Sequence, residues 1–215
     1  MRLALLQTPP HADEEAGIVT LTAAVRAAGA AVLVAPELFF PGYNRADIAA
    51  RAEPRGGPLH QRLARIAAQA GCGLVTGYAE RDGERLYNAA VAFDAKGCEV
   101  AHYRKIQLYG PREKALFAPG EAFASFDLNG TTAAMLICYD VEFAPHIAGL
   151  AAKGVQLILV PTANIMPFTH VALATVPAMA ANHGLSIVYA NWCGVEGDLT
   201  YSGGSIIAGP HGEVL

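Results

Sequence analysis

Apolar residues occur along the chain in short runs cut off by Gly, Pro or charge, and two periodicities alternate among them. Leu3–Leu6 reads as a first strand. Glu14–Ala30 then brings Ile18, Leu21, Val25 and Ala28 round at three- and four-residue steps, the spacing of an amphipathic helix. Residues 30–37, "AAVLVAPE", form a buried strand, and 58–72 a helix with Pro58 near its start, Leu59, Leu63, Ile66 and Ala70 on one face, and Gly71 as its stop. Residues 73–80 give another strand, and 86–105 two strands joined at Ala95-Lys96-Gly97. "TTAAMLICYD", 131–140, is read as the next strand, followed by a helix from Ala144 to Lys153 that ends at Gly154. Strand 155–164, a helix around His170–His183 stopped by Gly184, and strand 185–194 repeat the pattern. The last segment is a strand, a Pro-His-Gly turn and the beginning of its return. Either the chain ends on an unpaired edge or a further C-terminal part belongs beyond it.

Strands separated by helices, with a hairpin in the middle, predict a layered α/β domain. No linker, low-complexity tract or internal repeat divides residues 1–215, so one domain is expected. The composition, 53% hydrophobic and 16% charged over 215 residues, is enough for one sizeable core. No apolar run approaches the length of a membrane span, and the acidic, Pro-Pro continuation of the N-terminus does not suit a signal peptide. Lys and Arg are scattered and the net charge is −4, which argues against a nucleic-acid partner. The four Cys, at 72, 98, 138 and 193, include no C-x-x-C, and the seven His show no metal-ligand spacing. Reduced thiols in a cytoplasm, with no metal and no organic cofactor, are therefore expected.

Three strand ends carry reactive groups: Glu37 after "VLVAP", Lys105 after "EVAHYR" and Cys138 after "AAMLI". Ligands collect beyond strand ends in layered α/β folds, where side chains leave the core and loops shape a pocket. A carboxylate to take a thiol proton, a thiolate to attack a carbonyl or nitrile carbon, and an ammonium to hold the developing charge make a coherent set. Each residue also has a plain reading. Free Cys is among the most buried residue types, a Glu past a strand is usually a solvated end or a cap, and Lys105 beside Arg104 reads as surface charge.

The surrounding residues favour the first reading. "APELFFPGY" (35–43), "YRKIQLYGPREKALFAPGE" (103–121) and "LICYDVEFAP" (136–145) resemble, in order and spacing, the nitrilase or carbon–nitrogen hydrolase superfamily, in particular its amidase and carbamoylase branch. "VPTANIMPF" (160–168) and residues 189–215 resemble its later segments. The resemblance implies a four-layer-forming α-β-β-α sandwich of nitrilase type. It aligns Glu37 with the general base, Lys105 with the oxyanion-facing lysine, Cys138 with the nucleophile and Glu113, eight residues after the lysine, with a second glutamate that positions substrate or assists proton transfer. The Tyr139 backbone N–H would be the second oxyanion donor. Where many members have Phe-Pro-Glu after the cysteine, this chain has Phe143-Ala144-Pro145-His146, and it stops short of the family's usual C-terminus.

The reaction implied is cleavage of a C–N bond in a small carboxamide or N-carbamoyl compound through a thioester, with release of ammonia. A nitrilase, an acyltransferase and a non-catalytic binding domain on the same scaffold are the rival readings. Asn164 and Phe168 are candidate pocket residues, Asn164 being equally suited to a turn, and Tyr43, Tyr109 and Trp192 are candidate apolar walls. Asp140 and Glu142 are assigned to the start of the post-Cys helix, and Cys72, Cys98 and Cys193 to structure. The family also implies a homodimer or higher homo-oligomer, stacked through the helices after the cysteine strand.

Overall fold

A computed structural model describes all residues, 1–215. Its elements in chain order are β1 (Leu3–Leu5), α1 (Glu14–Ala28), β2 (Val32–Val34), α2 (Ile48–Arg51), α3 (Pro58–Ala70), β3 (Gly73–Asp82), β4 (Arg85–Phe93) and β5 (Glu99–Arg104). They continue with α4 (Gly110–Leu116), β6 (Ser125–Leu128), β7 (Thr131–Met135), a 3-10 turn (Cys138–Glu142), α5 (Ala144–Ala152) and β8 (Leu157–Thr162). A π-type turn (Val171–Thr175), α6 (Val176–His183), β9 (Ser186–Asn191), β10 (Cys193–Glu196), β11 (Leu199–Ser202) and β12 (Ile206–Ala208) complete it. One five-stranded sheet runs β1-β2-β3-β4-β5 and the other β12-β9-β8-β7-β6, while β10 and β11 form a separate hairpin. In each sheet the pairs joined through helices are parallel, and the hairpin-linked pairs, together with β9–β12, are antiparallel.

The period of two within β2 shows how the layers form. Val32 and Val34 join the core between the two sheets, whereas Leu33 joins the core under α1 and α3. Leu21, Val25, Leu59, Leu63 and Ile66 cover that outer face, and Ile147, Leu150, Val176 and Ala180 bring α5 and α6 onto the second sheet. The result is the α-β-β-α sandwich expected. Asp13 starts α1 by accepting the Ala16 N–H, and left-handed Gly29 and Gly71 stop α1 and α3.

Several boundaries differ from the sequence reading, beginning with the strand expected over 30–37, which is confined to Val32–Val34. The strand expected over 131–140 ends at Met135, and Cys138 begins a tight helical turn. The strand expected over 185–194 is two, since Asn191 ends β9 and Cys193 opens the hairpin. The helix near His170 starts with a π-type turn before α6 proper. The expected return of the last strand is present only as a single bridge between Ala208 and Val214.

Candidate active site

Glu37 leaves the end of β2 on a sharp turn. Its N–H reaches the Thr162 carbonyl of the opposite sheet at 3.3 Å, and the next residue, Leu38, has φ +44°. A non-glycine there is strained, and the turn is held by its surroundings. Leu38 is fully buried, and Trp192 Nε1 donates to the Glu37 carbonyl at 2.8 Å while its ring stacks on Phe39. A Cβ on Gly77 would lie 2.8 Å from Glu37 Cα and closer still to Leu38 N, so only glycine lets β3 run beside this turn.

Cys138 has the matching geometry on the second sheet. The chain leaves β7, Cys138 adopts φ +45°, and the 3-10 turn begins. Asp140 fixes this elbow from inside. Its Oδ2 accepts the Ile137 N–H at 3.0 Å and the Tyr103 hydroxyl at 2.8 Å, and its Oδ1 accepts the Gln107 N–H at 2.7 Å. The assignment of Asp140 and Glu142 to the start of the following helix is thus corrected: α5 has Phe143 at its N-cap and no acidic residue in its first turn. Asp140 instead ties the cysteine turn to the segment just after Lys105. No main-chain carbonyl takes the Tyr139 N–H, which stays free at the head of the turn.

Lys105 lies one residue beyond β5, its N–H bonded to the Asn88 carbonyl at 2.8 Å. Its side chain is fully buried between two carboxylates, with Nζ 2.6 Å from Glu37 Oε1 and 2.9 Å from Glu113 Oε1. Two of the three ammonium protons are therefore engaged and one is left. The two glutamates differ in what remains open on them. Glu113 Oε1 also accepts the Tyr43 hydroxyl at 2.6 Å, and its Oε2 accepts the Tyr109 N–H at 3.0 Å. Glu37 Oε1 accepts Asn88 Nδ2 at 2.7 Å besides Lys105, but no protein group donates to its buried Oε2.

The electrostatics follow from this crowding. Burial raises the Glu37 carboxyl, and although Lys105 pulls it back, it sits at about 7. Burial opposes the Lys105 ammonium, but the Glu37 and Glu113 charges outweigh it and hold the lysine above its ordinary value. Burial and the Glu37 charge push the Cys138 thiol well up, against the pull of Lys105. The resting thiol is protonated, so a base has to take its proton as it attacks.

Beyond the thiol opens a cavity of about 260 Å³, lined by Tyr43, Tyr109, Tyr139, Ile165 and Phe168 among others. Tyr109 meets Tyr139 edge-on at 5.3 Å and Phe168 at 6.3 Å. Asn164 is in the wall, but its Nδ2 is spent on the Phe168 carbonyl at 2.8 Å, so it holds the 164–168 loop in shape. Of the three expected aromatic walls, Tyr43 and Tyr109 line the cavity, whereas Trp192 stands behind Glu37. Asn88 and the Tyr43 hydroxyl were missed as partners of the carboxylates. A lone Asn in the apolar run 87–93 is the signal that could have found Asn88. Cys72 is buried, Cys98 exposed and Cys193 half-buried, all outside this cavity. No three His, Cys, Asp or Glu side chains are grouped to hold a metal ion.

A thiol on a strained turn, set against buried acid–base groups at the mouth of a small apolar cavity, is the arrangement of a covalent acyl-transfer hydrolase. The carbon-nitrogen hydrolase family model matches residues 2–215. An amidase from Nesterenkonia sp. AN1 is 39% identical with a TM-score of 0.94, covering 100% of this chain and 87% of that one. Mutants of it are known in complex with butyramide and with the acetamide moiety of fluoroacetamide added covalently at the active site cysteine. A Pseudomonas protegens hydrolase from the pqqF 5' region is 42% identical over 99% of this chain and 77% of its own length. A Pseudomonas (R)-stereoselective amidase is 34% identical over 91% of this chain and 72% of its own. The chain belongs to the carbon–nitrogen hydrolase (nitrilase) superfamily, in its amidase branch. It is a hydrolase acting on carbon–nitrogen bonds other than peptide bonds, as the sequence motifs implied.

Proposed function

We propose that the protein hydrolyses small carboxamides, with Cys138 as nucleophile, Glu37 as general base, Lys105 and the Tyr139 N–H as oxyanion donors, and Glu113 as the group that positions Lys105. The observation that carries this reading is the free Oε2 of Glu37. Of the two buried carboxylates, Glu113 has donors on both oxygens, and Glu37 alone has one open to take a proton.

In the first half-reaction Glu37 Oε2 takes the Cys138 proton as sulfur bonds to the amide carbon. The carbonyl oxygen becomes an oxyanion against the third Lys105 proton and the Tyr139 N–H, each such donor being worth about 3 kcal/mol in a dry site. Glu37 returns the proton to the amide nitrogen, the C–N bond breaks and ammonia leaves, so a thioester remains on Cys138. In the second half-reaction Glu37 takes a proton from water, hydroxide adds to the thioester, and the thiolate leaves and recovers the proton. A histidine is not needed, because burial already brings the glutamate near neutrality.

The 260 Å³ cavity with aromatic walls suits a short aliphatic or small aromatic acyl group. The reading also takes residues 1–215 as one catalytic domain, working as a homo-oligomer in a reducing cytoplasm. Four free thiols suit such a compartment, and Leu173, 75% exposed beside α6, suits a covered helix face. Ammonia release from aliphatic and aromatic carboxamides, N-carbamoyl amino acids and matching nitriles tests the chemistry, with Cys138→Ala alongside. Amide turnover that vanishes in the mutant is the expected result. Activity surviving in Cys138→Ala would overturn the nucleophile, and turnover of nitriles alone would overturn the substrate class. A relative 37% identical, from Pyrococcus abyssi, is described as a nitrilase, so the nitrile arm is a real contest.

A further inference from the structure

Glu142 has no role in the chemistry just described, yet it lines the same cavity as Cys138. It closes the 3-10 turn that the cysteine opens, four residues on. At about 2 Å of rise per residue, the two side chains start on the order of 8 Å apart along the axis. Glu142 is half-buried and makes no hydrogen bond or ion pair, unlike Glu37, Glu80, Glu113 and Asp140, whose carboxylates all have partners. The rest of the lining is apolar or aromatic, apart from exposed His170 at the rim and Asn164, a neutral amide that gives one N–H to the Phe168 carbonyl of its own loop, so Glu142 is the one carboxylate in the wall. His170 exerts a Coulombic pull on Glu142 but lies beyond ion-pair distance. The apolar walls take part of the water from this half-buried carboxylate, Lys105 also acts on it through space, and a ligand donor at the cavity side would replace the solvation it has lost.

We propose that Glu142 makes this cavity selective for carboxamides that carry a protonated amine on a short aliphatic spacer from the amide carbon. The amide would sit at Cys138 and the ammonium at the Glu142 carboxylate, with the spacer against Tyr109, Tyr139 and Phe168. The inference rests on the reading of Cys138 as the nucleophile, because that fixes which end of the substrate lies at the elbow.

The test compares glycinamide, β-alaninamide and γ-aminobutyramide with the neutral isosteres propionamide, butyramide and valeramide. The wild type should favour at least one amino amide over its isostere by about fivefold or more in kcat/KM, the worth of one partly screened ion pair. In Glu142→Gln that ratio should fall to near one, and in Glu142→Lys it should invert. Calorimetric titration of Cys138→Ala with γ-aminobutyramide and valeramide reads the same preference as a ratio of Kd, without turnover. Turnover with no preference for any amino amide, or a preference that persists in Glu142→Gln, would overturn the selection. Absence of turnover together with a Glu142-dependent ratio in Kd would overturn the reaction proposed above and leave the selection standing.

Discussion

Arg104 and Lys105 are neighbours at the end of β5, both cations and both bound to a buried glutamate, yet they sit in clusters of opposite character. Arg104 turns to the outer face, where it and His102 together saturate Glu80: its guanidinium bonds both oxygens and His102 Nε2 lies 2.7 Å from Oε2. Arg104 also packs over the Tyr87 ring at 3.8 Å. Lys105 turns to the seam between the sheets, where one ammonium serves two carboxylates and Glu37 keeps a bare oxygen. Burial raises both acids. At Glu80 the hydrogen bonds from His102 and Arg104 outweigh it and bring the carboxyl to about 2, whereas Glu37 stays at about 7. The same residue type is thus a fixed charge where donors are plentiful and a usable base where they are scarce.

Glu37→Gln should break the proposed active cluster most severely. The amide oxygen can still accept from Lys105 and Asn88, but no base remains, so kcat should fall on the order of 10³-fold. Its Tm should hold, since a buried charge has been removed. Stopped-flow or end-point ammonia assays beside thermal unfolding check both halves. Glu113→Gln should cost less, on the order of 10²-fold or below, because it leaves the base in place and disturbs only positioning, that of Lys105 and of the Tyr43 and Tyr109 walls it holds. Equal losses in the two variants would mean that Glu113 shares the proton work.

The pH profile sharpens the same contrast. Glu37 acts only when ionised, and its carboxyl sits at about 7. Below that value kcat/KM should therefore drop about tenfold per pH unit, and above it the rate should level off. An acid limb near 4 instead would place the titrating group in water.

Much of this was legible in the residues. Glu37, Lys105 and Cys138 stand where apolar strand runs end, whereas Glu113 was indicated only by the resemblance to the family's lysine motif. The exact elbow was not legible, because "AAMLIC" stays apolar past Met135, where β7 ends and only the Leu136 N–H still reaches the neighbouring strand, at Leu159. Composition does not reveal that Cys138 takes φ +45°. Nor could period or propensity separate Arg104 from Lys105 as structural and chemical. That difference depends on which glutamate arrives at each face, Glu80 from 24 residues away for Arg104 and Glu37 from 68 residues away for Lys105. Asp140 shows the same limit: read as an acid at the start of α5, it instead opens the 3-10 turn by accepting the Ile137 N–H and, buried there, ties three segments together.

The outer cluster gives the smallest effect on catalysis and a separate one on stability. Glu80→Gln leaves Arg104 and His102 facing a neutral amide with one acceptor, and the fold should lose about 2 kcal/mol. The kcat of the folded fraction should hold, since no atom of Glu80 reaches the cavity at Cys138. The pH dependence fixes the cause. Glu80 binds its proton less readily folded, at about 2, than at its ordinary 4.5, so its contribution is full above 4.5 and drains away as pH falls towards 2. Urea unfolding across that window should show the wild type losing its advantage over Glu80→Gln as the solution is acidified. An advantage independent of pH would assign the loss to packing, and a parallel loss of kcat would show that the outer face of β5 positions Lys105 after all.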